Sequence, residues 1–181
     1  MNPHSNILVI GASGGCGLFG LLLAKKFGGK VTGVCSGKNF EKVQKLKPDN
    51  MIDYTSKNFL DGIKNEKFDI IYDTVTSPED SDQKIIYKPF LKEEGKYVGI
   101  NGSPIEFMRS ILGLGFYNQH KVALLKWSNE LLQTVRDAVN QDNIDLFVDR
   151  VFEFKESDVW EAFKLQKSRR AKGKIIIKID G

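Results

Sequence analysis

Residues 7–36, ILVIGASGGCGLFGLLLAKKFGGKVTGVCS, decide the fold. Residues 7–10 are apolar without polar alternation, which reads as a strand buried on both faces. Leu18, Leu21, Leu22 and Ala24 then fall on one face of a helix over 15–27, and Gly28-Gly29 ends it. A second strand follows at 31–35. Between the first strand and the helix stands GASGGCG. A helix N-terminus presents unpaired N–H groups and a partial positive charge, so it stabilises a phosphate that can approach the backbone closely. Gly11 permits the turn off the strand, Gly14 and Gly15 the close approach, and Gly17 tight packing of the helix. Placed after a strand and at a helix start within a βαβ unit, this glycine cluster indicates dinucleotide binding. Ser13 and Cys16, inside the same turn, join Gly11, Gly14, Gly15 and Gly17 as candidate cofactor contacts.

The alternation continues. A short helix over 39–46 is stopped by Pro48, and a third strand covers 51–54. A helical turn is expected at 59–64, a fourth strand at 68–73, a helix at 81–91, and a fifth strand at 96–100 opened by Gly95. Residues 103–118 are ambiguous; their ILGLGF reads as a strand, a loop or an interface segment. A sixth strand is expected at 122–125. Ser128 or Asn129 can cap a helix to about 140, with Leu131, Leu132, Val135, Ala138 and Val139 on one face. A strand at 147–154, a helix at 156–166 and a strand at 174–179 close the chain. The pattern predicts an α/β, Rossmann-type doubly wound parallel sheet over residues 1–143, with a short strand–helix–strand appendage over 144–181.

Composition narrows the function classes. The 181 residues are 41% hydrophobic and 28% charged, as in a globular protein, and the net charge is +4. The lysines are scattered, without an arginine stripe or aromatic–basic alternation, which argues against nucleic-acid binding. Cys16 and Cys35 cannot form a zinc site between them, and only His4 and His120 could add nitrogen ligands. Both cysteines read as small packing residues in a reducing compartment. No apolar run is long enough for a membrane span. No leader is read ahead of the first strand, so a cytoplasmic location is expected, or an organelle matrix if a targeting segment lies upstream.

The end of the second strand selects the cofactor. An NAD-type site places Asp or Glu there to accept hydrogen bonds from the adenosine ribose. Here VCSGKNFEK supplies Ser36 and Lys38, with no acid until Glu41. A hydroxyl and an ammonium suit a 2′-phosphate, so NADPH is expected.

Two families share the opening motif. Read as GxxxGxG, it resembles the short-chain dehydrogenases, and YNQHK (residues 117–121) has the Tyr-x-x-x-Lys spacing of their catalytic pair. On that resemblance Ser103, Tyr117 and Lys121 would form the catalytic set, Lys lowering the Tyr pKa. YDTVTSPED after the fourth strand, the short interval to the fifth, and a chain well short of that family's usual length argue against it.

Read as GxxGxxG, the chain resembles the zinc-independent medium-chain reductases of the quinone oxidoreductase and ζ-crystallin group. ILVIGASGGCG is similar to their phosphate turn, and VTGVCSGKNFEKVQKL and MIDYT to their adenosine side. KFDIIYDTV and GKYVGING resemble their fourth and fifth strands, and FVDRVFEFKESDVWEAFKLQKSRRAKGKIIIKI their C-terminal tail. The resemblance covers most of the chain. It implies that Tyr54 contacts the 2′-phosphate region beside Ser36 and Lys38, and that Val75 and Asn101 flank the nicotinamide. It also implies hydride transfer from NADPH to a quinone or an α,β-unsaturated carbonyl, with no side chain assignable as acid–base catalyst. The family's N-terminal substrate lobe is not in this sequence, and Lys-Pro-Asp (residues 47–49) replaces the usual Leu-Gly-Ala. Turnover is therefore expected only where that lobe is supplied; without it, a non-catalytic cofactor-binding subunit is the alternative. The tail strands, deprived of the lobe, are expected to pair with each other, with the main sheet, or across a homodimer or partner chain.

Overall fold

A computed structural model describes residues 3–75, 86–100, 103–113, 119–122, 128–140 and 147–179. The elements run β1 (Asn6–Ile10), α1 (Gly15–Lys26), β2 (Lys30–Cys35), a 3₁₀ turn (Gly37–Asn39), α2 (Phe40–Gln44) and β3 (Asn50–Asp53). A 3₁₀ turn (Phe59–Ile63), β4 (Phe68–Asp73), a 3₁₀ turn (Lys88–Phe90), β5 (Leu91–Gly99), α3 (Pro104–Leu112) and β6 (His120–Val122) follow. The chain continues with α4 (Asn129–Asn140), β7 (Val148–Glu153), α5 (Glu156–Lys167) and β8 (Lys174–Lys178).

Six strands form one sheet in the order β3-β2-β1-β4-β5-β6, every pairing parallel. The order reverses between β1 and β4, which opens a crevice at the carboxyl ends of those two strands. β1 alternates between the two faces. Ile7 and Val9 join Leu18, Leu21 and Leu22 of α1 and Ala138 and Val139 of α4. Leu8 and Ile10 join Phe68, Ile71 and Tyr97 on the other side. Each such side chain contributes roughly 1.5–3 kcal/mol by leaving water, so the strand carrying the glycine turn is the best-anchored element. α1 ends in a Schellman arrangement: Gly29 N–H bonds Ala24 O, Gly28 N–H bonds Lys25 O, and Gly28 takes φ +79°.

Four expectations are corrected. The helix over 81–91 does not reach its end, because Lys88–Phe90 is a 3₁₀ turn around Pro89 and Leu91 already belongs to β5; residues 81–85 lie outside the described residues. β5 therefore starts before Gly95. Its register jumps from Phe68↔Leu91 to Ile70↔Lys96, so the charged KEEG stretch forms a bulge. Gln119 Nε2 fastens that bulge by donating to the carbonyls of Lys92, Glu93 and Gly95. The ambiguous 103–118 stretch begins as α3, with a Ser103–Glu106 capping box and a left-handed Gly113 at its end. The sixth strand starts earlier, at His120. Finally, α4 buries only its C-terminal half, for Leu131 and Leu132 stay exposed.

The tail strands take the first of the expected partners, each other. β7 and β8 pair in parallel as a separate two-stranded sheet, with α5 as the crossover. This unit rests on α1 through Phe147, whose ring stacks on Phe19 at 4.6 Å between centroids.

Candidate functional site

The site starts from the exit of β1. Gly11 takes φ +78°, and the N–H groups of Gly11 and Ala12 both bond Val34 O of β2 at 3.0 Å. A Cβ on Gly11 would lie 2.4 Å from Val75 Cγ2 and 2.6 Å from Thr74 Oγ1. Gly14 N–H bonds Gly11 O at 2.9 Å, closing the turn. Gly14 is then the N-cap of α1, no side chain caps the helix, and no acidic residue sits in its first turn. The first-turn N–H groups and the positive end of the helix dipole are thus free of any built-in anion.

The glycines divide the work differently from expectation in one respect. A Cβ on Gly17 would lie 2.0 Å from Gly11 O, so this glycine lets the helix close onto the turn itself. Contact of α1 with the sheet falls to Gly20, whose absent Cβ would sit 2.5 Å from the Tyr72 ring. At Gly14 the nearest atom to a Cβ is Gly11 O at 3.4 Å, which leaves open space above the turn.

The carboxyl ends of β2 and β3 lie beside this turn, Cys35 being registered with Asp53. Ser36 is buried, Lys38 and Tyr54 are exposed, and Tyr54 N–H bonds Cys35 O. Ser13 and Ser36 are joined by Asn39, whose Nδ2 donates to both hydroxyl oxygens at 3.1 Å. Asp53 is an acid that a reading of the second strand alone misses. Its Oδ1 accepts from Thr55 N–H at 2.9 Å and Thr55 Oγ1–H at 2.7 Å. The Thr55 side chain, then the backbone N–H groups of Thr55 and Gly37, hold its carboxyl below the ordinary value despite a small opposing cost of desolvation. Burial, and secondarily Asp53, push the neighbouring Cys35 thiol up to about 11, so it stays protonated at neutral pH. Cys16 is exposed on the first turn of α1.

Val75 reaches the site from β4. Asp73, buried at the end of that strand, accepts Val75 N–H at 2.9 Å and the Tyr97 hydroxyl. Thr74 Oγ1 donates to Ile10 O at 2.8 Å, tying the β4 exit to the β1 exit. Asn101 and Tyr117 lie outside the described residues. Ser103 is the N-cap of α3, accepting from Glu106 N–H at 3.1 Å, and Lys121 lies on β6 opposite Val98.

Sequence reasoning missed the contribution of the tail. Gly173, at φ +148°, brings its carbonyl to 3.3 Å, and Lys174 its Cδ to 3.2 Å, from where a Cβ on Gly15 would stand. Lys174 Nζ lies 5.7 Å from the Phe19 ring centroid, and Lys42 of α2 donates to Lys172 O. Burial, against an opposing pull from Asp149, lowers the Lys42 pKa. A KGK loop thus leans over the glycine turn. The assembly can receive a phosphate at the α1 N-terminus and a negatively charged sugar edge at Ser36, Lys38 and Tyr54. Among the described residues no three His, Cys, Asp or Glu side chains converge, so they offer no donor set for a zinc ion.

A model of the zinc-binding dehydrogenase family matches residues 46–177. The zinc-type alcohol dehydrogenase-like protein of Schizosaccharomyces pombe is 28% identical over 194 residues, 99% of this chain and 53% of that protein. The chloroplastic quinone oxidoreductase of Triphysaria versicolor is 26% identical over 97% of this chain and 53% of its own length. The mitochondrial NAD(P)H oxidoreductase of Danio rerio is 28% identical over 98% of this chain and 50% of its own. The quinone oxidoreductase from Coxiella burnetii superposes with a TM-score of 0.79 at 23% identity, covering 99% of this chain and 54% of that one. This chain spans about half the length of the relatives it matches. Glycine turn, strand order and family match agree: the chain belongs to the medium-chain dehydrogenase/reductase family and corresponds to its NAD(P)-binding domain.

Proposed function

We propose that this domain binds NADPH in preference to NADH and serves a reductase that needs no zinc, transferring hydride to a quinone or an α,β-unsaturated carbonyl. The observation carrying the cofactor reading is the end of β2. Ser36 and Lys38 stand there with Tyr54, while the neighbouring acid, Asp53, is committed to Thr55 and Gly37. The turn through Ser13, Gly14, Gly15, Cys16 and Gly17 holds the pyrophosphate on the α1 dipole, with Lys174 adding positive charge from the tail. Val75, fixed by Asp73, and Asn101 flank the nicotinamide. When bound, the reduced nicotinamide supplies the hydride, and the product takes up a proton from solvent to give the saturated carbonyl or hydroquinone.

The substrate cleft requires more protein than this chain provides. Val151, Phe154, Trp160, Phe163, Ile176 and Ile179 of the tail are exposed apolar side chains, and a surface of this kind is an association surface. We assign residues 144–181 to it, as distinct from the cofactor unit over 1–143. Its partner is a substrate lobe, a second copy or another chain, and a cytoplasmic or organelle-matrix setting suits its free cysteines. No helix among the described residues is long and apolar enough to cross a membrane.

Fluorescence titration of the purified chain tests the cofactor reading: NADPH binds about tenfold or more tighter than NADH. Equal affinity overturns the Ser36/Lys38 argument. Quinone-dependent NADPH oxidation by the chain combined with its substrate lobe supports the reductase reading; binding without turnover in that assembly leaves a cofactor-binding subunit.

A further inference from the structure

Asn39 closes a surface turn, Gly37–Asn39, yet only 9% of it is exposed. Its Nδ2 bridges Ser13 of the glycine turn and Ser36 at the end of β2. One amide therefore fixes the two segments that frame the adenosine half of the pocket relative to each other. The other end of that amide is unused: Oδ1 is buried and has no hydrogen-bond partner among the described residues. A buried acceptor without a donor is costly, and native proteins rarely leave one. Asp53 cannot serve the ribose in its place, since its oxygens are held by Thr55 and Gly37.

We infer that Asn39 is the ribose-reading residue of this pocket, its free carbonyl oxygen accepting a hydroxyl of the adenosine ribose. The inference rests on the dinucleotide reading above. In NADPH the 2′-oxygen carries the phosphate, so the hydroxyl available is the 3′. A carboxylate at this point would accept the same hydroxyl but repel the phosphate. A neutral amide accepts without repelling, which makes Asn39 a specificity determinant as well as a brace.

The test uses isothermal titration of the full chain with adenosine 2′,5′-bisphosphate and its 3′-deoxy counterpart. In the wild-type chain, loss of the 3′-hydroxyl weakens binding about tenfold, the size of one hydrogen bond. In Asn39→Leu, with folding checked by thermal melting, the two ligands bind alike. Asn39→Asp shifts the NADPH:NADH affinity ratio toward NADH by about tenfold or more. Wild-type chain that binds both bisphosphates equally overturns the inference, and this arm decides even if a variant does not fold. An unchanged ratio in Asn39→Asp also overturns it. Wild-type chain that binds bisphosphate but prefers NADH refutes the NADPH reading alone, while the 3′-deoxy comparison still judges Asn39. No binding of any nucleotide removes both.

Discussion

Gly14 and Gly17 lie three residues apart in one turn, yet the space around them assigns them different work. A methyl on Gly17 would sit 2.0 Å from Gly11 O, a contact that only movement of the backbone can relieve. A methyl on Gly14 meets nothing nearer than 3.4 Å, and Gly14 has φ −79°, which alanine adopts freely. Gly17→Ala therefore destabilises the fold by about 3 kcal/mol or more, read as a lowered thermal midpoint. Gly14→Ala keeps stability within about 1 kcal/mol but fills the space above the turn, weakening dinucleotide affinity about tenfold or more. Reversal of that pattern would show that Gly14 is structural and the turn is not the phosphate seat. The glycines were legible in the sequence because their constraint is local. Asn39 was not: a polar residue on a surface turn shows its role only when the fold brings Ser13 to it from 26 positions away.

Elements declared themselves where a period or a cap governed them. β1, α1 and β2 follow from apolar runs and glycine stops. β5 hid its start because Lys92, Glu93 and Glu94 read as a loop, whereas the sheet accommodates them as a bulge. α3 carried its own start signal, Ser103-Pro104-Ile105-Glu106, but Ile105, Met108, Ile111 and Leu112 remain exposed. An apolar run that no core organises has no readable period, which is why ILGLGF looked equally like a strand. Ser103 is engaged as a cap, so Ser103→Ala costs about 1 kcal/mol of stability in thermal melts and leaves dinucleotide affinity unchanged. A stability-neutral substitution that abolished turnover in the assembled reductase would instead return Ser103 to the catalytic role suggested by the short-chain pattern.

The whole molecule is a cofactor sheet with a βαβ tail resting beside its phosphate turn. Phe147 is the main bolt, 2% exposed and stacked on Phe19, and the KGK loop follows from that docking. Phe147→Ala costs roughly 3–5 kcal/mol by the usual cavity arithmetic. It also frees the tail, so limited proteolysis cleaves within residues 141–179 before the sheet is attacked. Uniform resistance to cleavage would mean that the tail is held by something other than this stack. The central claim, that the turn at the β1 exit is the dinucleotide seat, is tested most directly by mapping amide chemical shifts of the ¹⁵N-labelled chain as NADPH is added. The account predicts the largest changes at Ser13, Gly14, Gly15, Cys16 and Gly17, with a second group at Ser36, Lys38 and Tyr54. Saturable shifts that spare the glycine turn and gather at Ser103 and Lys121 would contradict it.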